Sequence, residues 1–276
     1  MELEILRNIQ SIANPFLDIL FQLITICGEQ MVLVLIISII YWVKDKKFGE
    51  YIAYAVLTSV LVNCVVKDIF KFKRPIGEEG IRTLREKTAT GYSFPSGHTQ
   101  GAGSFYGAMA IYIKKKVMYI IAIIMIILIG FSRLYLGVHY PKDVIVGGIL
   151  GVLISYICYN IYNKYENKIM VYTITFIIFL PALTFAHSED FIKGLGAYFG
   201  FLIGMFIEKR YVNFSVEGKG INKVIKVVIG VLILLCLQKG LKIVLPSEAI
   251  FSFIRYSIIS IFGIGIYPMI FKKLKI

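Results

Sequence analysis

Residues 116–143, KVMYIIAIIMIILIGFSRLYLGVHYPKD, join an uninterrupted apolar run to a short polar segment. The run 116–132 approaches the roughly 20 residues that a helix needs to cross a bilayer. Pro141 suits the first position of a following helix, where its missing N–H would have no partner. The stretch therefore predicts two membrane helices joined by a short loop that carries ionisable side chains.

The whole chain has the composition of an integral membrane protein. Of its 276 residues, 58% are hydrophobic and 17% are charged, and the mean hydropathy is +0.77. A soluble domain has about 45–50% apolar and about 25% charged residues. The apolar runs predict nine spans, at about 28–44, 49–70, 98–113, 116–132, 142–162, 169–186, 193–208, 222–244 and 250–270. We expect an all-α polytopic membrane protein without a separate soluble domain.

The N-terminal residues 1–27 are expected to lie at the membrane surface. Residues 3–12 are amphipathic, and the apolar stretch 15–27 is short and interrupted by Asp18 and Gln22. Such a length favours an interfacial or re-entrant helix over a full crossing. A secretory signal peptide is not expected, because the start of the chain lacks a basic segment.

The net charge of +13 comes largely from short loops between apolar runs, which excludes a nucleic-acid interpretation. Basic residues concentrate on the cytoplasmic side of membrane proteins. The basic loops on one side hold Lys44, Lys46, Lys47, Lys114, Lys115, Lys116, Lys164, Lys168, Lys209, Arg210, Lys219 and Lys223, and the tail holds Lys272, Lys273 and Lys275. That side is predicted to be cytoplasmic, so loops 71–97 and 133–141 face outward.

The first polar segment contains Lys67, Arg74 and Pro75. Lys67 and Arg74 are seven residues apart, which predicts one helical face. Pro75 disfavours helix at the preceding residue, so the span is expected to end at Arg74. Arginine binds two phosphate oxygens as a fork and lysine binds as a point charge, which favours an anion site. The alternative is an ordinary basic flank that reaches the membrane interface.

The second polar segment is Ser93-Phe94-Pro95-Ser96-Gly97-His98. We expect a helix to begin near Ser96, because a helix N-terminus offers unpaired N–H groups to an anion. Gly97 would let the backbone approach the ligand closely, and His98 would lie within reach of it. The alternative is a simple serine cap beside a surface histidine.

The third polar segment holds Arg133, His139 and Asp143. Asp143 can reach back to His139 and hold one ring nitrogen, which leaves the other nitrogen as a nucleophile. The alternative is a lone histidine at the interface. Ionisable residues beside membrane spans are costly, so the three segments together favour a functional site.

The three motifs, Lys-x6-Arg-Pro, Pro-Ser-Gly-His and Ser-Arg-x5-His-x3-Asp, resemble in order and spacing the type 2 phosphatidic acid phosphatase superfamily. The resemblance covers about residues 28–162 and implies a helical core with the motifs at the outer ends of the spans. By this resemblance His139 attacks phosphorus and forms a phosphohistidine, Asp143 orients it, and His98 protonates the leaving oxygen. The implied phosphate-binding residues are Lys67, Arg74, Ser96, Gly97 and Arg133.

The domain layout follows from the resemblance. Residues 1–27 are predicted as an interfacial or re-entrant helix, 28–163 as the catalytic core, and 164–276 as three or four additional transmembrane helices. This layout is similar to the nine-span glucose-6-phosphatase-like members, including a turn at Gly194-Leu195-Gly196 before a span.

The expected activity is that of a metal-independent phosphatase on the outer face of the cell membrane, with a cytoplasmic C-terminus. Fixed cations can stabilise phosphoryl transfer in place of a metal, so no cofactor is expected. The favoured substrate is an isoprenoid (undecaprenyl-type) pyrophosphate, whose second phosphate could use Lys71, Lys73, Arg82 and Arg85. Phosphatidic acid, a sphingoid phosphate, a sugar phosphate, a lipid phosphotransferase and a non-catalytic lipid-binding protein remain alternatives. The bilayer and the lipid are the expected partners, without nucleic acid or a protein partner.

Overall fold

The computed structural model describes residues 1–218 and 220–274, and all regular elements within these ranges are helical. The α-helices are α1 (Glu2–Gln10), α2 (Pro15–Ile26), α3 (Gln30–Ile39), α4 (Lys46–Phe70), α5 (Gly97–Ile113), α6 (Lys116–Tyr135), α7 (Pro141–Lys164), α8 (Lys168–Phe179), α9 (Glu189–Ile207), α10 (Gly220–Val244), α11 (Ala249–Ile261) and α12 (Tyr267–Leu274). Short π-helical turns follow α3, α9 and α11 at Ile40–Lys44, Glu208–Val212 and Phe262–Ile266. Short 3-10 turns lie at Glu86–Thr88 and Leu180–Thr184. The predicted all-α membrane fold is confirmed.

Six helices in the described ranges are long and apolar enough to cross a bilayer. They are Lys46–Phe70, Lys116–Tyr135, Pro141–Lys164, Glu189–Val212, Gly220–Val244 and Ala249–Phe271. The predicted spans at 28–44, 98–113 and 169–186 correspond to shorter helices, at Gln30–Lys44, Gly97–Ile113 and Lys168–Thr184. The count of nine spans is therefore not confirmed.

The N-terminal helices α1 and α2 are bent by 120° at the break between them. Together they are long and apolar enough to form a broken span or a re-entrant loop, which would make seven spans. Asn14 caps α2 by accepting a hydrogen bond from the Leu17 N–H at 3.0 Å, and Pro15 occupies the first helical position. The cap and the proline define where the second helix begins.

The chain divides into two units. Unit 1 comprises Met1–Leu33 and Val62–Asn160, and unit 2 comprises Val34–Leu61 and Ile161–Ile276. Helices α3, α4 and α7 contribute residues to both units. All the motif residues identified in the sequence belong to unit 1.

Within unit 1, glycines hold α5 and α7 close together. A Cβ atom on Gly151 would lie 2.3 Å from the Gln100 carbonyl oxygen, and one on Gly147 would lie 2.8 Å from that of Ser96. Small residues let membrane helices approach backbone to backbone. This contact brings the beginning of α5, with the second motif, against the beginning of α7, with the third.

Within unit 2, glycines have the same effect between α9 and α11. A Cβ atom on Gly196 would lie 2.4 Å from the Phe253 carbonyl oxygen, and one on Gly200 would lie 2.3 Å from that of Ser257. The turn predicted at Gly194-Leu195-Gly196 is therefore wrong, since these residues lie inside α9. In α9 these glycines allow the helix to pack closely against α11.

Unit 2 also contains a cluster of opposite charges, termed the ionic cluster, formed by Lys46, Glu50, Glu208 and Lys209. Lys46 Nζ lies 2.5 Å from Glu208 Oε1, and Lys209 Nζ lies 2.6 Å from Glu50 Oε1. Both carboxylates are buried, with 0% of Glu208 and 4% of Glu50 exposed. The Tyr172 hydroxyl donates to Glu50 at 2.7 Å.

Candidate active site

The turn between α6 and α7 presents the third motif. Gly137 adopts a positive φ of +68°, and a Cβ atom there would lie 2.3 Å from the Arg82 carbonyl oxygen. A glycine meets both requirements, because it has no Cβ atom and tolerates this region of φ. Helix α7 then begins at Pro141, as predicted. The turn leaves His139 two residues before the helix.

His139 and Asp143 form a buried pair. His139 Nδ1 lies 3.3 Å from Asp143 Oδ2, and the two side chains are 1% and 0% exposed. The same oxygen accepts a hydrogen bond from the Tyr140 N–H at 2.9 Å and one from the Ser93 hydroxyl. These donors fix the carboxylate, so the predicted proximity of Asp143 to His139 is present.

The other imidazole nitrogen faces a guanidinium. Arg74 Nη1 lies 2.9 Å from His139 Nε2 and also donates to the Val138 carbonyl oxygen at 2.9 Å. Two further bonds of Arg74 go to the carbonyl oxygens of Gly91 and Thr90, at 3.0 Å and 2.6 Å. A guanidinium can only donate, so His139 Nε2 must accept. The proton of the neutral ring therefore lies on Nδ1, toward Asp143.

The surroundings of His139 favour its neutral form. Burial, together with the positive charges of Arg74, Arg133 and Lys67, holds the pKa of His139 well below its usual range. A cationic imidazole in this setting would face desolvation and like charges at once. The ring is therefore neutral at neutral pH, with a lone pair on Nε2.

The first motif reaches the site from the end of α4, and the predicted helical repeat is wrong there. The helix ends at Phe70, and Lys71 has a φ of +51°, so Arg74 lies beyond the helix. Lys67, in the last helical turn, donates to the Tyr92 carbonyl oxygen. Loop contacts, and not helical periodicity, determine where Arg74 lies.

The second motif begins α5 as predicted, with Ser96 as its N-terminal cap. The Ser96 hydroxyl accepts from the Thr99 N–H at 3.4 Å, and the Ser96 N–H donates to the Asp143 carbonyl oxygen at 2.9 Å. The N–H of Ser96 is thus used within the protein. Gly97 and His98 supply the first N–H groups of the helix, which have no carbonyl partner within it.

Two of the motif residues, Arg133 and His98, have buried nitrogen atoms without hydrogen-bond partners among the described residues. The Arg133 side chain is 0% exposed, and its Nη1 donates to Thr25 Oγ1 at 2.8 Å. Its Nε and Nη2, and also His98 Nε2, have no hydrogen-bond partner among the described residues. Such groups in a folded protein call for a bound ligand or solvent. Arg133 and His98 are therefore suited to bind an anion.

Two of the four loop cations expected to bind a second phosphate already have carboxylate partners. Arg82 binds Asp18 through both Nη atoms, at 2.7 Å and 2.6 Å. Arg85 Nη2 binds the Glu29 carboxylate. The other two, Lys71 and Lys73, are exposed.

Three site residues were missed by sequence reasoning. Asn63 Nδ2 donates to Gln100 Oε1 at 2.8 Å and thereby links α4 to α5. The sequence did indicate a role for Asn63, because this polar residue lies four residues before Lys67 within an apolar span. Ser93 was noted only as part of the second polar segment, without a role, and Thr25 carried no signal, since the partners of both come from distant parts of the chain.

Sequence comparison identifies two regions of the chain. Residues 49–167 match the PAP2 superfamily, and residues 192–276 match the transmembrane extension of PAP2 superfamily phosphatases. Phosphatidylglycerophosphatase B of Bacillus subtilis is 31% identical over 159 residues, which cover 53% of this chain and 75% of that protein. An undecaprenyl-diphosphatase of Sulfolobus acidocaldarius is 33% identical over 119 residues, 43% of this chain. The match spans only 57% of that relative's length.

A solved structure has the same fold. The crystal structure of Aquifex aeolicus LpxE superposes with a TM-score of 0.52 and 27% sequence identity, over 58% of this chain and 94% of that one. The chain therefore belongs to the PAP2 superfamily of membrane phosphatases and carries, in addition, the family's transmembrane extension.

Proposed function

We propose that the protein is a metal-independent lipid phosphatase that transfers the phosphoryl group of its substrate first to His139 and then to water. The observation that carries this proposal is the geometry of His139. Its Nδ1 lies 3.3 Å from Asp143, and its Nε2 lies 2.9 Å from the guanidinium of Arg74. A phosphate bound by Arg74 would therefore lie beside a neutral, oriented nucleophile.

In the first step, His139 Nε2 forms a bond to phosphorus while the bond from phosphorus to the leaving oxygen breaks. The electron pair of the broken bond goes to the leaving oxygen, and His98, which takes up a proton together with the anionic substrate, supplies that proton to it. The ring of His139 gains positive charge, which Asp143 stabilises through Nδ1–H.

The transferred phosphoryl group carries negative charge on three oxygens. Lys67, Arg74 and Arg133 offer positive charge to them, and the N–H groups of Gly97 and His98 offer hydrogen bonds. These donors are held by the fold before the reaction begins, so they can act in place of a metal. The hydroxyl of Ser96 supports this arrangement by capping α5.

In the second step, water attacks the phosphohistidine from the side that the leaving group has vacated. Neutral His98 accepts the proton of the water, and the bond between phosphorus and His139 Nε2 breaks. Inorganic phosphate leaves, and both histidines return to their starting forms, because the proton taken from water restores the one that His98 gave to the leaving oxygen.

An apolar groove in unit 1 supports a lipid as the substrate class. It lies along α6 and α7, has a volume of about 710 Å³, and is lined by side chains that include Ile126, Leu134 and Ile149. Thr99, which also lines the groove, donates its hydroxyl proton to Ser96 Oγ at 3.0 Å. A lipid tail in the groove would therefore extend away from a headgroup at the start of α5.

Among lipids, an isoprenoid diphosphate is the first candidate. The similarity to an undecaprenyl-diphosphatase supports it, and the similarity to phosphatidylglycerophosphatase B supports a phosphatidyl monophosphate as the alternative. The distribution of lysines in the loops supports an outward-facing site and a cytoplasmic C-terminus.

A substrate panel tests the proposal. Purified protein should release phosphate from polyprenyl diphosphate in excess EDTA without an added acceptor, and more slowly from phosphatidic acid, sphingoid phosphate and glucose 6-phosphate. The His139→Ala variant should lose about 10⁴-fold or more in kcat, as expected for removal of a nucleophile. In right-side-out vesicles, substrate added outside should be hydrolysed.

Three results would contradict separate parts of the proposal. Phosphate release by His139→Ala would exclude the nucleophile. Loss of activity in EDTA that Mg²⁺ restores would exclude the metal-independent mechanism. Turnover only after an acceptor is added would indicate a phosphotransferase.

A further inference from the structure

Arg85 belongs to the loop that lies on the end of α6, close to the third motif. The Leu84 N–H donates to the Leu136 carbonyl oxygen at 3.0 Å, which joins the loop to the turn before His139. Arg85 itself has a φ of +57°, an uncommon conformation for a residue with a side chain. The conformation is held by Thr88, whose hydroxyl donates to the Arg85 carbonyl oxygen at 2.8 Å.

The N-terminal turn 25–29 brings Arg85 to the site. Three of its residues each contact a different site component: Thr25 accepts from Arg133, Gly28 packs on the His98 backbone, and Glu29 binds Arg85. A Cβ atom on Gly28 would lie only 3.2 Å from the His98 carbonyl oxygen. Glu29 is the next residue, so the Arg85 guanidinium is bound by a turn that also contacts the His98 backbone and Arg133.

Arg85 differs from its neighbour Arg82, although both bind a carboxylate of the N-terminal region. Both Nη atoms of Arg82 bind Asp18, and the side chain is 43% exposed. Arg85 uses Nη2 for Glu29, and its buried Nε has no hydrogen-bond partner in the described part of the chain. Burial is the main cause that lowers the pKa of His98, and the positive charge of Arg85 is one of several charges that lower it further. Arg82 thus anchors the loop, whereas the Nε–H of Arg85 is available to donate to a ligand.

We propose that Arg85 binds the leaving-group phosphate of a diphosphate substrate and thereby determines a preference for lipid diphosphates over lipid monophosphates. This inference rests on the proposed function, in which His98 is on the leaving-group side. When His139 Nε2 bonds to the terminal phosphorus, the electron pair of the broken bond goes to the bridging oxygen. That oxygen stays on the lipid monophosphate, where His98 protonates it, and Arg85 binds the negative charge that the lipid monophosphate still carries. The leaving group of a lipid monophosphate is a neutral alcohol, which offers Arg85 no negative charge to bind.

Glu29 is a positioning residue for Arg85. It holds the guanidinium by one edge and compensates part of its charge, so that the leaving lipid monophosphate is released after cleavage. In Glu29→Gln the positive charge of Arg85 is retained but less compensated. We expect this variant to bind the diphosphate more tightly, with a lower KM and a lower kcat.

The test compares farnesyl diphosphate with farnesyl monophosphate, which differ only in the second phosphate. Arg85→Gln should lower kcat/KM for the diphosphate by about tenfold to a hundredfold, the range expected for a lost charged hydrogen bond. The monophosphate value should change less than about threefold. Arg82→Gln is the matched control and should lower both values by the same factor.

An equal loss on both substrates in Arg85→Gln would overturn the inference and leave the proposed function intact. Wild-type protein that hydrolyses neither substrate would overturn both. If Arg85→Gln does not fold, Arg85→Lys is tested in its place. A reduced preference of this variant for the diphosphate supports the inference. An unchanged ratio of the two kcat/KM values overturns it. Loss of the preference in Glu29→Gln, where the guanidinium remains, would also overturn it.

Discussion

The candidate site in unit 1 and the ionic cluster in unit 2 both bury charged side chains, but they differ in how those charges are compensated. In the ionic cluster, Lys46 and Lys209 each bind a buried carboxylate at 2.5 Å and 2.6 Å. In the site, Arg133 is fully buried, contacts the neutral hydroxyl of Thr25, and has two nitrogens without partners in the described ranges. A compensated buried charge needs no ligand, and breaking the pair destabilises the fold, whereas buried donors held without partners favour a bound ligand.

Among the three predictions that compare the two regions, removal of the Arg133 side-chain charge should give the largest effect. Arg133→Gln should lower kcat/KM by about 10²–10³-fold, because a preorganised donor to the transferred phosphoryl group is lost. The midpoint of thermal unfolding in detergent should not fall, since a buried charge with unused donors is removed. A variant that unfolds at lower temperature and retains activity would show that Arg133 is structural.

Removing a cation of the ionic cluster should give the opposite pattern. Lys209→Gln leaves Glu50, which is 4% exposed, without its ion-pair partner. The free energy of unfolding should fall by about 2–3 kcal/mol, the cost of an uncompensated buried carboxylate. Unfolding in detergent measures this change, and kcat at 25 °C should stay within about twofold of the wild-type value. A loss of kcat with an unchanged free energy of unfolding would contradict a purely structural role of the ionic cluster.

The smallest of the three effects concerns pH. His139 reacts in its neutral form, and its pKa is held well below 6.5 by burial and by the charges of Arg74, Arg133 and Lys67. The acid limb of kcat/KM that belongs to His139 should therefore lie below pH 6.5. Arg74→Gln removes one positive charge, so the pKa should rise and the limb should move to higher pH.

The pH profile of Arg74→Gln has an internal control. Ionisation of the substrate contributes the same limb to wild-type and variant profiles, so the difference between them reports on the enzyme. A limb that stays in place, or moves to lower pH, would show that the charge of Arg74 does not act on His139.

The eight motif residues could be predicted from the sequence because their chemistry, order and spacing are local properties. Ser96 before α5, Pro141 at the start of α7 and the neighbouring His139 and Asp143 all follow from rules within one or two helical turns. The position of Arg74 could not be predicted in this way, because α4 ends at Phe70 and loop carbonyls hold the guanidinium.

The sequence by itself determined the membrane-helical class, most helix boundaries and the identities of the motif residues, since these depend on apolar length, caps and local spacing. Only the tertiary structure decided which cations are compensated. The pairing of Arg82 with Asp18 and of Arg85 with Glu29 joins residues 64 and 56 positions apart. No local pattern encodes such contacts, because they arise from the packing of the N-terminal helices against the loop. Because of that packing, Arg82 anchors the loop, whereas Arg85 keeps an N–H group that can donate to a ligand.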